Sequence, residues 1–389
     1  MKFEPVQNKL KPFSPLTCAA DCGCSPVKSI TSADITSEFK NETWFTGVID
    51  SPAGPVPQVS TEIKLSERMA HIRSRASSFR MKFSLKPGLY AVGSPASTSD
   101  IFVTANYRLS FDHLRKALKG MNAWILVLDT AGINVWCAAG KGTFGTDELI
   151  RRIKLTGIEK YVEHKRLILP QLGAPGVNSG EVREKTGFRI SYGPVRAEDI
   201  TQYIEKGYEA DEEMRLVKFT MKDRAVLIPM EINMIKEKFL YFISAALLYS
   251  ALQPEGIVFK DALTSGYSLI TACIITVAAG AVFTPLLLPF IPFRSFAIKG
   301  GISGAAALLV TEYSTGLFSS ISIYFYSAVL ILFTLISSYI ALQFTGATTY
   351  TSLSGVKREI KYSLPVYIAG FFVSSILFII SKISEWGYL

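Results

Sequence analysis

Ala123-Trp-Ile-Leu-Val-Leu128 is a run of six apolar residues that leads directly into Asp129-Thr-Ala-Gly-Ile-Asn-Val-Trp-Cys-Ala-Ala-Gly-Lys-Gly-Thr-Phe-Gly145. A short run that is apolar at every position, not at alternate ones, marks a strand covered on both faces. Outward from it, strand-like runs at 88–92, 100–105, 166–169 and 188–192 alternate with helical patterns at 110–119, 146–155, 179–185 and 197–206. In the first of these helices Ser110 is the expected N-cap, and Phe111, Leu114 and Leu118 share one face. The alternation predicts a doubly wound, Rossmann-like α/β domain over residues 44–232. Ligands of such sheets sit beyond the carboxyl ends of the strands. Segments 129–141 and 170–178 are therefore expected to form the site.

The rest of the chain is of another kind. From Asn233 onward there are 9 Lys/Arg and 6 Asp/Glu in 157 residues, against 32 and 26 in the preceding part. Stretches 262–293 and 313–356 carry no charge at all. About 20 apolar residues span a bilayer, so residues 233–389 are read as an all-α polytopic membrane domain. Five helices are expected, near 236–255, 264–289, 296–315, 319–342 and 363–382, with prolines 285, 289 and 292 bending or ending the second. With the N-terminal domain inside, five Lys/Arg (Arg294, Lys299, Lys357, Arg358, Lys361) fall in inner loops and two (Lys260, Lys382) outside. The polar, lysine-bearing start of the chain has no apolar signal region. The expected location is thus the cytoplasmic membrane, multi-pass, with the N-terminal domain in the cytoplasm. The net charge of +9 is spread thinly and lacks the dense basic clusters of a nucleic-acid footprint.

Residues 1–43 mix Pro, Ser, Thr and charge without periodicity and are read as a flexible arm. It carries Cys18, Cys22 and Cys24, three close thiols suited to a soft metal ion, though one short of a closed zinc or iron–sulfur set.

The chemistry concentrates at 129–145. Cys137 falls where a helix could begin, and backbone N–H groups at a helix start, with Lys141 nearby, favour a thiolate. Ala138, Ala139 and Gly140 would let a large flat ligand approach the backbone, with Trp136 as an apolar wall. The residues alone leave a buried structural cysteine equally open. A phosphate loop is excluded, because the G-x4-G-K-[ST] spacing is absent.

The run Asn134-Val-Trp-Cys-Ala-Ala-Gly-Lys141 resembles the signature of the mercury-methylating corrinoid protein family over all eight residues. Its surroundings, 103–112, 171–176 and 187–197, resemble the corrinoid domain of the corrinoid iron–sulfur protein of acetyl-CoA synthesis. That second similarity extends over roughly residues 85–210. The resemblance implies cobalamin or a related corrinoid, bound base-off with the Cys137 thiolate as lower cobalt ligand. It implies a pocket drawn from Thr104, Asn106, Thr130, Gly132, Asn134, Val135, Trp136, Ala138, Ala139, Gly140, Lys141, Gln171, Gly173 and Gly176. It further implies a methyl-donor system, Hg(II) as acceptor with Cys18, Cys22 and Cys24 as candidate ligands for it, a small ferredoxin-like partner with two 4Fe–4S clusters, and membrane lipid around the C-terminal helices. The Asp-x-His-x-x-Gly segment of many cobalamin methyltransferases is absent, and His71, His113 and His164 lack its context. A thiolate pushes electron density onto cobalt, which suits an electrophilic acceptor such as Hg(II) better than histidine would. Two other functions stay open: a membrane-tethered methyl carrier of one-carbon metabolism, and a non-catalytic membrane sensor or transporter with a ligand-binding cytoplasmic domain.

Overall fold

The computed structural model describes residues 31–51, 54–254, 256–258, 262–319, 321–347 and 350–389. Cys18, Cys22 and Cys24 lie outside them. The chain divides into two units, 1–217 and 218–389.

In the first unit a seven-stranded sheet has the order β1-β2-β3-β5-β4-β6-β7. Its strands are β1 Phe45–Ser51, β2 Gly54–Val59, β3 Gly88–Val92, β4 Ile101–Ala105, β5 Ala123–Leu128, β6 Arg166–Leu169 and β7 Arg189–Tyr192. Strands β5, β4, β6 and β7 run parallel, whereas β3 pairs antiparallel with β5 and β1 antiparallel with β2. The sheet is therefore mixed, not uniformly parallel. Every residue of β5 is buried. Trp124, Leu126 and Leu128 enter one core, and Ala123, Ile125 and Val127 the other. Strand alternation thus feeds two apolar layers at once.

The helices of this unit are α1 Ser32–Phe39, α2 Leu65–Ala76, α3 Arg108–Ala117, α4 Val135–Lys141, α5 Thr146–Thr156, α6 Ser179–Thr186, α7 Ile200–Glu205 and the short α8 Glu212–Arg215. Helices α4, α5 and α6 pack on one face of the sheet and α1, α3 and α7 on the other. Within the stretch read as an arm, α1 is capped by Thr31 and buries Ile35 and Phe39 against Trp44 and Tyr90. Helix α3 begins at Arg108, ahead of the expected cap Ser110, and its N-cap is Tyr107. The chain turns in early because the Arg108 N–H is held by the Phe83 carbonyl at 3.0 Å.

Beneath α3 lies a buried ion network. Arg108 Nε and Arg115 Nε donate to Asp112 Oδ1 at 2.9 and 2.7 Å, and both guanidiniums reach Glu67 Oε1 on α2 at 2.8 and 2.6 Å. The His71 ring lies 2.7 Å from Asp112 Oδ2. Burial by itself would raise the Glu67 and Asp112 pKa values. The hydrogen bonds and arginines outweigh it and hold both below the usual carboxylate range.

The second unit is helical: α9 Met221–Ala225, α10 Ile228–Ala251, α11 Ala262–Ala278, α12 Thr284–Leu286, α13 Phe296–Thr315, α14 Ile323–Gln343 and α15 Leu353–Glu385. A π turn at Ala279–Phe283 joins α11 to α12, and the helix stops just past Pro285. The boundary precedes the composition break at Asn233. Phe219 packs with Leu288 and Phe296, and Arg224 donates to the Leu286 carbonyl at 3.1 Å. Helices occupy all five expected regions, but only three segments among the described residues are long and apolar enough to cross a membrane. These are Gly266–Leu286, Ile323–Gly346 and Ser354–Glu385. Helix α10 opens with Glu231, Lys236, Glu237 and Lys238, and α13 contains Lys299 and Glu312. Helices α13 and α14 approach closely at Gly300 and Gly304, where a Cβ would fall 2.4 Å from Ala341 and 2.5 Å from Ser337.

Candidate functional site

The carboxyl ends of β4, β5 and β6 converge on one edge of the sheet, where Asn106, 129–145 and 170–178 meet. Asn106 follows β4 directly and is 4% exposed. Its Oδ1 accepts the Thr130 N–H at 3.0 Å and the Gly132 N–H at 2.9 Å, and the Thr130 hydroxyl lies 2.9 Å away. Its Nδ2 donates to Asp129 Oδ1 at 3.3 Å. One amide thereby ties β4 to the loop that follows β5. Residues 130–133 form a tight turn, Ile133 N–H to Thr130 carbonyl, in which Ala131 (φ 55°) and Gly132 (φ 71°) are both left-handed. For alanine that backbone costs about 1–2 kcal/mol, and Asn106 supplies the hydrogen bonds that hold it. From the other side Glu148 of α5 accepts the Asp129 N–H at 2.9 Å while paired with the buried Arg152.

Asn134 then caps α4, its Oδ1 accepting the Cys137 N–H at 3.0 Å. The amide expected to face a ligand is therefore already engaged, and α4 is only seven residues long. The helix sorts the sequence-predicted residues into two sets. Val135, Ala138 and Ala139 are buried in the core beneath β5. Trp136, Gly140 and Lys141 face outward, and the free, half-buried Cys137 lies on their side of the helix, between Gly140 and Lys141 around its axis. A Cβ on Gly140 would meet nothing within 4 Å, so the ground beside the thiol is open.

Gln171–Gly176 forms a 3-10 turn packed on α4. Gly173 and Gly176 are close-approach positions. A Cβ on the first would lie 2.5 Å from the Phe144 ring, and on the second 2.2 Å from the Phe144 carbonyl oxygen. They seat this turn against Phe144 and Ala139, holding α4 from outside. Tyr192 of β7 joins in, its hydroxyl donating to the Val177 carbonyl at 3.0 Å. Thr104 is buried on β4, on the face it shares with Phe102, opposite Val103 and Ala105, which pack with α4. It is not brought together with Cys137.

Phe144, Glu148 and Ser84 were not singled out in the sequence. Phe144 stands between the glycine-rich end of α4 and Gly145, and Glu148 opens α5 in the i,i+4 pairing with Arg152, so both carried a local signal. Ser84, whose Cβ lies 3.4 Å from where a Cβ on Gly132 would be, carried none. The histidines have other partners: His71 sits on Asp112, and His164 contacts the Ser99 carbonyl and accepts the Arg166 N–H. Among the described residues no group of three or more His, Cys, Asp or Glu could hold a metal ion.

Comparison with known proteins bears on this same segment. Residues 78–204 match the family of the CO dehydrogenase/acetyl-CoA synthase delta subunit. The acetyl-CoA decarbonylase/synthase complex subunit gamma of Archaeoglobus fulgidus is 30% identical over 135 residues, 34% of this chain and 28% of the relative. Its counterpart from Methanothermobacter thermautotrophicus is 35% identical over 122 residues, 31% of this chain and 26% of the relative. The chain thus spans about a quarter of the length of these curated relatives. The matched region holds strands β3 to β7 and the whole candidate site. The C-terminal helical unit lies beyond it.

Proposed function

We propose that the first unit binds a corrinoid and that the chain transfers methyl groups. The single observation that carries this is Cys137: a free, half-buried thiol on a short helix, held at the carboxyl edge of a mixed α/β sheet, within a region similar to acetyl-CoA decarbonylase/synthase gamma subunits. The donor set fits such a cofactor, because one accessible thiol stands beside the open Gly140 and the partly exposed Trp136. A corrinoid supplies a cobalt ion that can carry a methyl group. Cys137 would provide the sulfur beneath the metal, in a base-off arrangement. Asn134 holds the Cys137 N–H and Asn106 shapes the turn that leads into α4, while Trp136 with Gly140 offers an apolar, unobstructed face to a flat ring. Lys141, one turn from Cys137, adds positive charge beside the sulfur.

For the acceptor we put forward Hg(II), giving methylmercury. Support comes from the resemblance of 134–141 to the mercury-methylating family and from the match between an electron-rich sulfur ligand and an electrophilic acceptor. A second reading is favoured by the relatives themselves: a corrinoid methyl carrier of acetyl-CoA-type metabolism. A low-potential ferredoxin-like donor would serve either role. In both readings the three apolar helices anchor the chain in the cytoplasmic membrane.

The deciding experiment adds cobalamin to purified protein and compares the visible spectra of wild type and Cys137→Ala. Sulfur ligation predicts distinct spectra, and identical ones would exclude it. Methyl transfer to Hg(II), measured against transfer to a nickel or thiol acceptor, separates the two roles. Full mercury methylation by Cys137→Ala would remove the first. Resistance of the chain to alkaline carbonate extraction tests the anchor.

A further inference from the structure

Helix α2 is amphipathic in the reverse sense. Its inward face carries Glu67 and Ser74, both buried, with His71 beside them on the ion network. Its outward face, at spacing i, i+4, i+7 and i+11, carries Leu65, Met69, Ile72 and Ala76. Leu65 is 75% exposed, Met69 58%, Ile72 58%, and Met81 in the 3-10 turn that follows 66%. A helix on a water-facing surface hides such a stripe. This one cannot rotate to do so, because Glu67 and His71 are needed by Arg108, Arg115 and Asp112 on the other side. Arginines border the stripe: Arg68 and Arg75 along one flank, Arg73 along the other. From Ile63 to Ser99 the sequence has seven Lys/Arg and one acidic residue, and that residue is the buried Glu67.

We propose that this face of α2, with Met81, lies on an anionic phospholipid surface. A stripe one helix wide with guanidiniums on both flanks matches the acyl–headgroup boundary, apolar side chains entering the chains and arginines meeting phosphates. An acidic protein would satisfy the charge as well. The bilayer is favoured because the same chain carries three helices apolar enough to cross it. A covalently tethered surface works at high effective concentration, so a few apolar side chains suffice. The inference rests on the membrane reading of the C-terminal unit.

The test uses the full chain in nanodiscs of phosphatidylcholine, alone or mixed with phosphatidylglycerol, and follows amide exchange in peptides covering 65–82. Exchange should slow by about tenfold in the anionic discs, and the protection should weaken at high salt. The double variant Met69→Glu/Ile72→Glu should lose it, and Arg68→Gln/Arg73→Gln should reduce it. All four positions are exposed, and unchanged exchange in β5 reports an intact fold. Equal exchange in both kinds of disc overturns the proposal while leaving the anchor standing. Protection that ignores lipid and appears only on adding an acidic protein overturns it in favour of a protein partner. A chain that does not incorporate into discs fails earlier, at the anchor, and takes this proposal with it.

Discussion

The side-chain oxygen of Asn106 accepts the Gly132 N–H at 2.9 Å, joining the end of β4 to the loop that leaves β5. Since the Thr130 N–H uses the same oxygen, Asn106→Ala leaves two backbone donors of a left-handed turn without their acceptor. The expected cost is about 1–3 kcal/mol. It should be read as a lowered thermal midpoint together with weakened cobalamin binding in a spectroscopic titration. An unchanged titration would mean that the turn does not position Cys137.

Gly176 and Gly140 make a discriminating pair. Gly176→Ala drives a Cβ to 2.2 Å from the Phe144 carbonyl oxygen and 3.1 Å from the Ala139 Cα, backbone atoms that cannot move aside. A loss of about 1–3 kcal/mol in urea unfolding is expected. Gly140→Ala meets nothing within 4 Å. It should leave stability intact or raise it by about 0.5–1 kcal/mol, yet weaken corrinoid binding if a ring lies on that face. Binding unaffected by Gly140→Ala would move the ring elsewhere.

The ion network sets the acid limit of the first unit. Glu67 and Asp112 titrate below their ordinary values in the folded state, so the stability they contribute is present above the unfolded carboxylate range. It is lost as the pH falls below about 4. Urea midpoints measured from pH 7 to pH 3 should drop on that limb, and Asp112→Asn should flatten it. Arg115→Met, which leaves Arg108 as the remaining arginine on both buried carboxylates, should cost about 1–3 kcal/mol at neutral pH.

Cys137 is half-buried and Cys273 fully so. In a Cys18→Ser/Cys22→Ser/Cys24→Ser background, iodoacetamide should modify Cys137 at least about tenfold faster. Bound cobalamin should suppress that reaction, and mass spectrometry of the peptides checks both. Labelling of Cys137 at the same rate with and without cobalamin would count against sulfur ligation.

Strands β3 to β6 were legible because each is a short, largely apolar run, β5 stood out because all six of its residues are apolar, and β7 (Arg-Ile-Ser-Tyr) was legible from its place in the strand–helix alternation. The antiparallel direction of β3 and the β1–β2 hairpin were not, since strand polarity depends on which neighbour a strand finds, and local pattern carries no record of that. Five helical regions after Asn233 could be read from hydropathy, while length and charge within the folded helices leave three apolar enough to span.

At the candidate site, the sequence singled out Cys137 and the small residues beside it by a Trp, Cys and Gly/Ala cluster in one loop and by the resemblance carried by residues 134–141, while the residue types alone left a buried structural cysteine equally open. Only the folded chain assigned the work among them. Val135, Ala138 and Ala139 turn into the core and Trp136, Gly140 and Lys141 away from it, as the helical period requires once β5 lies beneath. Gly173 and Gly176 seat a turn on Phe144, and Asn106 acts as the acceptor that shapes a loop 24 residues further along the chain. Those roles come from close approach between segments distant in sequence, and such contacts arise only when the sheet brings its strand ends to one edge.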